Sequence, residues 1–264
     1  MTIKTLRQTL LDARAAKTSA FVPFIMAGDP DMKTSADILL SLEKSGAAAI
    51  ELGVPFSDPV ADGVTVQQAA ERALAAGATL AGVFEMLKQA RVQGLSIPVC
   101  LFSYLNPIFH MGYDAFARAA ESAGAQGALI VDLPPEAAAD YLAAMKQAGL
   151  ETVFLCSPTT DPARLALIDA ASSGFVYYVS REGVTGAQSA LPAALSEKLA
   201  ELRANLTAPL AVGFGISTPA HVAALTGKAD AIVVGSALVK TIGEKASDAP
   251  STLAAQVKEL LTAA

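Results

Sequence analysis

The chain has 264 residues, 53% of them hydrophobic, and a net charge of −6 with no basic run. That length carries one large α/β domain or two small ones with ample material for a core. The acidic balance without clustered Lys or Arg argues against nucleic acid as a partner. Cys100 and Cys156 stand in apolar runs, Pro98-Val-Cys-Leu and Phe154-Leu-Cys-Ser, and read as small buried hydrophobes in a reducing compartment. His110 and His221 are isolated, and no CxxC or paired His/Cys spacing marks a metal site, so no metal is expected. The first ten residues lack a signal-peptide core. Two long stretches without Asp, Glu, Lys or Arg, 92–113 and 204–227, are broken by Pro, Gly, Asn and Ser, and read as buried strand–loop units rather than membrane spans. A soluble, cytoplasmic protein is the expectation.

In chain order, Ile3, Leu6 and Leu10 at helical spacing predict a short amphipathic N-terminal helix. Near-continuous apolar runs then predict strands over 21–26, 48–52, 98–102, 128–131, 152–156, 175–179, 210–212 and 231–234, of the kind buried on both faces in a parallel sheet. Between them, apolar residues three and four apart predict helices over 34–44, 79–93, 113–123, 136–148, 162–171, 193–204 and 219–225. Gly46, Gly94, Gly124, Gly149 and Gly174 read as helix stops. A last helix over 252–261 follows a loose connection at 243–250. Eight βα units in this length have the rhythm of an α/β (β/α)8 TIM barrel, a single catalytic domain over 1–264 with an extra N-terminal helix. An open doubly wound sheet is the runner-up, but Ala27-Gly-Asp-Pro is not the glycine fingerprint such a sheet shows after its first strand.

In a barrel, chemistry sits where strands end. The most informative stretch there is Ala49-Ile-Glu-Leu-Gly-Val-Pro-Phe-Ser-Asp-Pro-Val-Ala-Asp-Gly63, which puts an acid inside an apolar strand and a second acid in the following turn-rich loop. Alternation places Ala49 and Glu51 on one face and Ile50 and Leu52 on the other; the small Ala49 suits the barrel interior, so Glu51 is expected to point inward at the mouth. The loop can fold back to bring Asp62 over the same ligand. Two plainer readings stand beside this: Glu51 paired with a nearby base, and Asp62 as the N-cap of a helix starting near Val64.

The last two strands end in Val212-Gly-Phe-Gly-Ile-Ser and Val234-Gly-Ser-Ala. Glycine-rich turns at these places suit phosphate binding by backbone amides, with Gly213, Gly215, Gly235 and Ser236 as candidates and Gly186 joining from the sixth loop. The plainer reading is that these glycines serve tight turns. No strand end carries an inward-looking lysine for a Schiff base, and no His/Asp cluster offers a divalent metal site. Carboxylate acid–base chemistry on a phosphorylated substrate remains, with Tyr104 and one of Tyr177 or Tyr178 nearby.

Pro23-Phe-Ile-Met-Ala-Gly-Asp-Pro30, Glu51–Gly63, Ser180-Arg-Glu-Gly-Val-Thr-Gly186 and Gly213-Phe-Gly-Ile-Ser217, in this order, closely resemble the tryptophan synthase α-subunit family. The resemblance implies a retro-aldol lyase that cleaves indole-3-glycerol phosphate to indole and glyceraldehyde 3-phosphate. It implies Glu51 as the acid–base residue, Asp62 as acceptor of the indole N–H, and Tyr177 beside the catalytic acid. Phe24 and Phe214 match apolar walls around the indole, and Gly186, Gly213, Gly215, Gly235 and Ser236 match the phosphate cradle. It implies no cofactor in this chain, and as partner the tryptophan synthase β subunit, which carries pyridoxal phosphate, in an α2β2 assembly that docks on loops bearing Pro55, Asp58, Pro59, Asn106 and Pro134. A stand-alone indole-releasing lyase and a non-catalytic activator of a partner are the alternatives. The sequence departs from the family pattern at Met26-Ala27, at Phe102-Ser103 and in an apparently shorter sixth loop, Gly186–Pro192.

Overall fold

The computed structural model describes residues 3–179, 193–213 and 215–262. Eight parallel strands close in sequence order into a barrel: β1 (Ala20–Met26), β2 (Ile50–Gly53), β3 (Val99–Ser103), β4 (Gly127–Ile130), β5 (Glu151–Cys156), β6 (Phe175–Val179), β7 (Leu210–Gly213) and β8 (Ala231–Val234). The helices around and below it are α1 (Leu6–Ala15), α2 (Met32–Lys44), α3 (Val64–Ala75), α4 (Leu80–Val92), α5 (Leu105–Met111), α6 (Tyr113–Ala123), α7 (Ala139–Gln147), α8 (Pro162–Ala171), α9 (Ala193–Asn205), α10 (Pro219–Leu225), α11 (Ser236–Lys245) and α12 (Ala249–Leu261). No helix among the described residues is long and apolar enough to cross a membrane.

The strands are apolar on both faces because both faces are covered. Ala20, Val22, Phe24, Ala49, Cys100, Leu129, Val153, Phe175, Tyr177, Ala211 and Val233 fill the interior, with Leu6 and Leu10 of α1 packing into the same cluster from below. The alternate set, including Phe21, Ile25, Ile50, Leu52, Leu101, Phe154, Tyr178 and Ile232, packs under the helices against Ile38, Leu39, Leu87, Phe116, Leu238 and Leu253. The strand phase expected from the sequence is the phase observed.

Side-chain caps set several helix starts: Thr5, Asp31, Thr79, Asp161 and Thr218 each accept from a backbone N–H three residues on. Gly46, Gly94, Gly124 and Gly149 adopt positive φ behind helices, as read from the sequence. Gly174 does not; its N–H bonds Thr152 O at 3.0 Å and leads into β6. The 243–250 segment is not a loose connection. Helix α11 runs through it to Lys245, a 3-10 turn covers Ala246–Asp248, and α12 starts at Ala249, the break falling where Ala246 takes φ +34°. Helix α5 was not expected, because Asn106-Pro107 reads as loop; the proline stands in the first turn, where its missing N–H costs nothing, and Asp132 Oδ1 accepts the Leu105 N–H at 2.7 Å.

The closed end of the barrel is tied by buried charge. Asp230, wholly buried ahead of β8, takes Arg14 of α1 in a two-pronged bond (2.8 and 2.5 Å), Arg203 of α9 at 3.2 Å and the Leu210 N–H at 2.7 Å. Glu151, opening β5, accepts the Leu6 N–H at 2.6 Å and so holds the start of α1. Removing one member of such a buried cluster strands the rest. Asp230→Ala is therefore expected to lower unfolding free energy in urea by about 3 kcal/mol; a change near zero would show that the cluster contributes nothing net.

Candidate active site

Glu51 lies in β2, in register with Phe24 of β1 and Cys100 of β3. It shares the inward face with Ala49, and it is 2% exposed. Its Oε1 has no hydrogen-bond partner among the described residues, so the reading of Glu51 as one half of a structural ion pair has no support there. A carboxylate in such surroundings loses its hydration without replacement, which favours the protonated form. Burial first, and the negative charge of Asp62 second, push the Glu51 pKa up to about 8.

Asp62 comes from the loop that follows β2. The loop turns on itself through Val60 N–H to Asp58 O (2.9 Å) and Asp62 N–H to Pro59 O (3.0 Å). Gly63, without a side-chain bond, is the residue that opens α3, so Asp62 is not a helix cap. Its half-buried carboxylate instead has beside it the Tyr104 hydroxyl, which accepts the Ala61 N–H at 3.0 Å and favours the ionised form of Asp62. Burial raises the Asp62 pKa to about 6, and the Tyr104 hydroxyl opposes that rise. The two acids are thus close enough to sense each other, yet their environments favour opposite protonation states near neutrality.

Tyr177, on the inner face of β6, has its hydroxyl pushed well above its ordinary range by burial and by Glu51. Tyr178 faces the helical layer, so Tyr177 is the one of the two on the inner face with Glu51. A Cβ on Gly213 would lie 2.0 Å from the Tyr177 hydroxyl oxygen, so only glycine at the end of β7 leaves the tyrosine its place. Gly215 has φ +73°, open to glycine at little cost. Gly235 precedes α11, and Ser236 is exposed in its first turn, where backbone N–H groups lack helical acceptors. Phe24, in register with Glu51, and Phe102 meet edge to face at 5.2 Å, forming an aromatic wall. Phe214 and Gly186, with the rest of 180–192, lie outside the described residues.

Of the residues expected at a docking surface, Asp58, Asn106 and Pro134 are exposed and Pro59 is partly so, whereas Pro55 is buried. Sequence reading passed over exposed apolar residues on the same elements: Val60, on the loop after β2, is 84% exposed, and Phe109 and Met111, on α5, are 68% and 38% exposed. It also missed the pair of buried Asp29 with Arg72 (2.8 and 2.7 Å), which fastens the loop after β1 to α3. Asp29 was visible as part of Gly28-Asp-Pro, but nothing local announces a partner 43 residues away.

The family model described as tryptophan synthase alpha chain matches residues 10–263. The chain belongs to the tryptophan synthase alpha chain family. Tryptophan synthase alpha chains similar to it include that of Geotalea uraniireducens, 48% identical over 87% of this chain and 85% of the relative. That of Thioalkalivibrio sulfidiphilus is 48% identical over 94% and 93%. Among solved structures, tryptophan synthase subunit alpha from Legionella pneumophila superposes with a TM-score of 0.90 at 38% identity, covering 99% of this chain and 98% of that one. A chain of the tryptophan synthase a2b2 complex from Pyrococcus furiosus gives 0.87 at 41% identity, covering 92% and 98%. Fold and family therefore agree with the barrel.

The buried acid has a signature in stability. Below 4.5, the ordinary value, Glu51 is protonated folded or unfolded. Between 4.5 and about 8 the unfolded chain ionises and the folded chain resists, so stability is lost as pH rises through that window. Glu51→Gln removes the group. Its unfolding free energy relative to the parent should climb across the window by several kcal/mol in all. A difference that stays flat with pH would contradict the placement of an uncompensated carboxyl on the inner wall.

Proposed function

We propose that the chain is the lyase subunit that cleaves indole-3-glycerol phosphate to indole and glyceraldehyde 3-phosphate. The observation that carries this reading is the acid pair, Glu51 buried on the barrel wall with its Oε1 unbonded among the described residues and Asp62 on the adjoining loop, at the mouth where β7 ends in Gly213 and β8 is followed by Gly235. A retro-aldol reaction at an indole ring needs both. The protonated Glu51 gives its proton to the ring carbon that bears the glycerol chain. Asp62 accepts the ring N–H and stabilises the positive charge that appears on the ring. The Glu51 carboxylate so formed takes the proton of the neighbouring glycerol hydroxyl as the carbon–carbon bond breaks, and the bond electrons restore the aromatic ring. Indole and an aldehyde leave, and Glu51 ends protonated, as it began.

The remaining residues bind and orient. Gly213, Gly215, Gly235, Ser236 and Gly186 form the phosphate cradle in this reading, with the first turn of α11 supplying N–H groups and a favourable dipole. Phe24 and Phe214 are the apolar walls, and Tyr177 packs beside Glu51. The chain itself needs no cofactor for these steps. The partner in this reading is a tryptophan synthase β subunit carrying pyridoxal phosphate, in an α2β2 assembly. Support comes from the a2b2 complex among the similar structures and from the exposure of Val60 on the loop of Asp58 and Pro59 and of Phe109 and Met111 on the helix that carries Asn106. Pro55, on the same loop as Asp58, is buried in the chain by itself.

Indole release from indole-3-glycerol phosphate, measured alone and with a β subunit, tests the reading. Turnover should rise on adding the partner; full activity alone would favour an independent lyase. Glu51→Gln should lower kcat by about a thousandfold, and Asp62→Asn by about a hundredfold, with glycerol phosphate affinity kept within about twofold. The rate against pH should be bell-shaped, falling below about 6 as Asp62 protonates and above about 8 as Glu51 ionises. Unchanged indole release by Glu51→Gln would overturn the assignment.

A further inference from the structure

Resting on that reading, Asp62 must be held at one place over the mouth although it rides on a loop with exposed residues on both sides. The turn bonds tie the loop to itself, and Gln67 of α3, in the same βα unit, donates to the Asp62 carbonyl at 2.8 Å but leaves the carboxylate unheld. The side chain that crosses to it from a neighbouring βα unit is Tyr104, buried at the end of β3, whose hydroxyl accepts the Ala61 N–H at 3.0 Å. A tyrosine hydroxyl has one proton to give, and with Ala61 as donor that proton is available to the Asp62 carboxylate. The ring is fixed too: Phe56 of the same loop lies 5.4 Å from it at 31°. Its backbone is fixed from the next unit, since Tyr104 opens α5 and Asp132, beyond β4, accepts the N–H of Leu105 at 2.7 Å.

We propose that Tyr104 is a positioning residue for Asp62, locking the acid-bearing loop to the end of β3, with Asp132 bracing Tyr104 from the end of β4. Three successive strand ends are then linked, the loop after β2 to β3 through the Tyr104 hydroxyl and β3 to β4 through the Leu105 N–H. The same three loops carry Asp58 and Pro59, Asn106, and Pro134, so whatever shifts α5 shifts the hydroxyl that holds Asp62. The ionisable groups that face the carboxylate are Glu51 on β2 and Tyr104 on β3; Asp132 acts on it through Tyr104, and Cys100 and Tyr177 flank Glu51.

The test is a double-mutant cycle on indole release, with wild type, Tyr104→Phe, Asp62→Asn and the double variant assayed across pH. Tyr104→Phe keeps the ring and removes the hydroxyl. It should lower kcat about tenfold with KM changed less than about twofold. The acid limb of its profile should move to higher pH, because the lost donor favoured the ionised carboxylate. The double variant should be no slower than Asp62→Asn alone, since the hydroxyl acts only through Asp62. Asp132→Ala, which leaves the hydroxyl in place and loosens its backbone, should give a smaller loss of the same kind, and keeps the test open if Tyr104→Phe folds poorly. An unmoved acid limb, or losses that multiply in the double variant, would overturn the role of Tyr104 while leaving the acid pair intact. Wild-type turnover by Asp62→Asn would instead overturn the acid pair and this inference together.

Discussion

A carboxyl group on the inner wall of a closed apolar barrel is the constraint that the rest of this molecule accommodates. In water the proton of Glu51 would be lost well below neutrality. Inside the barrel, with an oxygen that no described residue bonds and a second acid near it, the proton stays. The fold supplies the enclosure: eight parallel strands in register, a small Ala49 below the acid, and α1 closing the far end through Leu6 and Leu10. Rigidity at the closed end, where Asp230 gathers two arginines and a backbone N–H, frees the open end for chemistry.

The second acid gains its contrast from a different environment. Asp62 is only half-buried and has the Tyr104 hydroxyl beside its loop, which favours the ionised form, so the same burial that protonates Glu51 acts on it less. Two carboxyls of ordinary chemistry thereby come to differ by about two pH units, at about 8 and about 6. The difference is a property of place: one side chain hangs on a strand, the other on a loop latched by a neighbour. Acid–base work on a single ring requires that separation, since a donor and an acceptor must coexist at one pH.

Much of this was legible in the residues. Period-two alternation in Ala49-Ile-Glu-Leu put Glu51 inside, and the small Ala49 chose the phase. Apolar runs broken by glycine gave eight strands in the right order. What escaped was whatever depends on partners distant in sequence. The Asp29–Arg72 and Asp230–Arg14 pairs join residues 43 and 216 apart. Helix α5 hid behind Asn106-Pro107, because its N-terminal acceptor comes from Asp132 on another unit. Tyr104 was visible as a polar residue at a strand end, but its bond to the Asp62 loop exists only once β2 and β3 lie side by side. Gly174 was misread for a local reason, since its role is to enter β6 rather than to end α8.

At neutral pH the two acids are expected to hold opposite protonation states. Carbon-13 NMR titration of the side-chain carboxyls, with Glu51 and Asp62 assigned by their amide variants, reads this directly. The account expects, at pH 7, the chemical shift of a protonated acid for Glu51 and of a carboxylate for Asp62. A Glu51 resonance that titrates with an ordinary midpoint near 4.5 would contradict it.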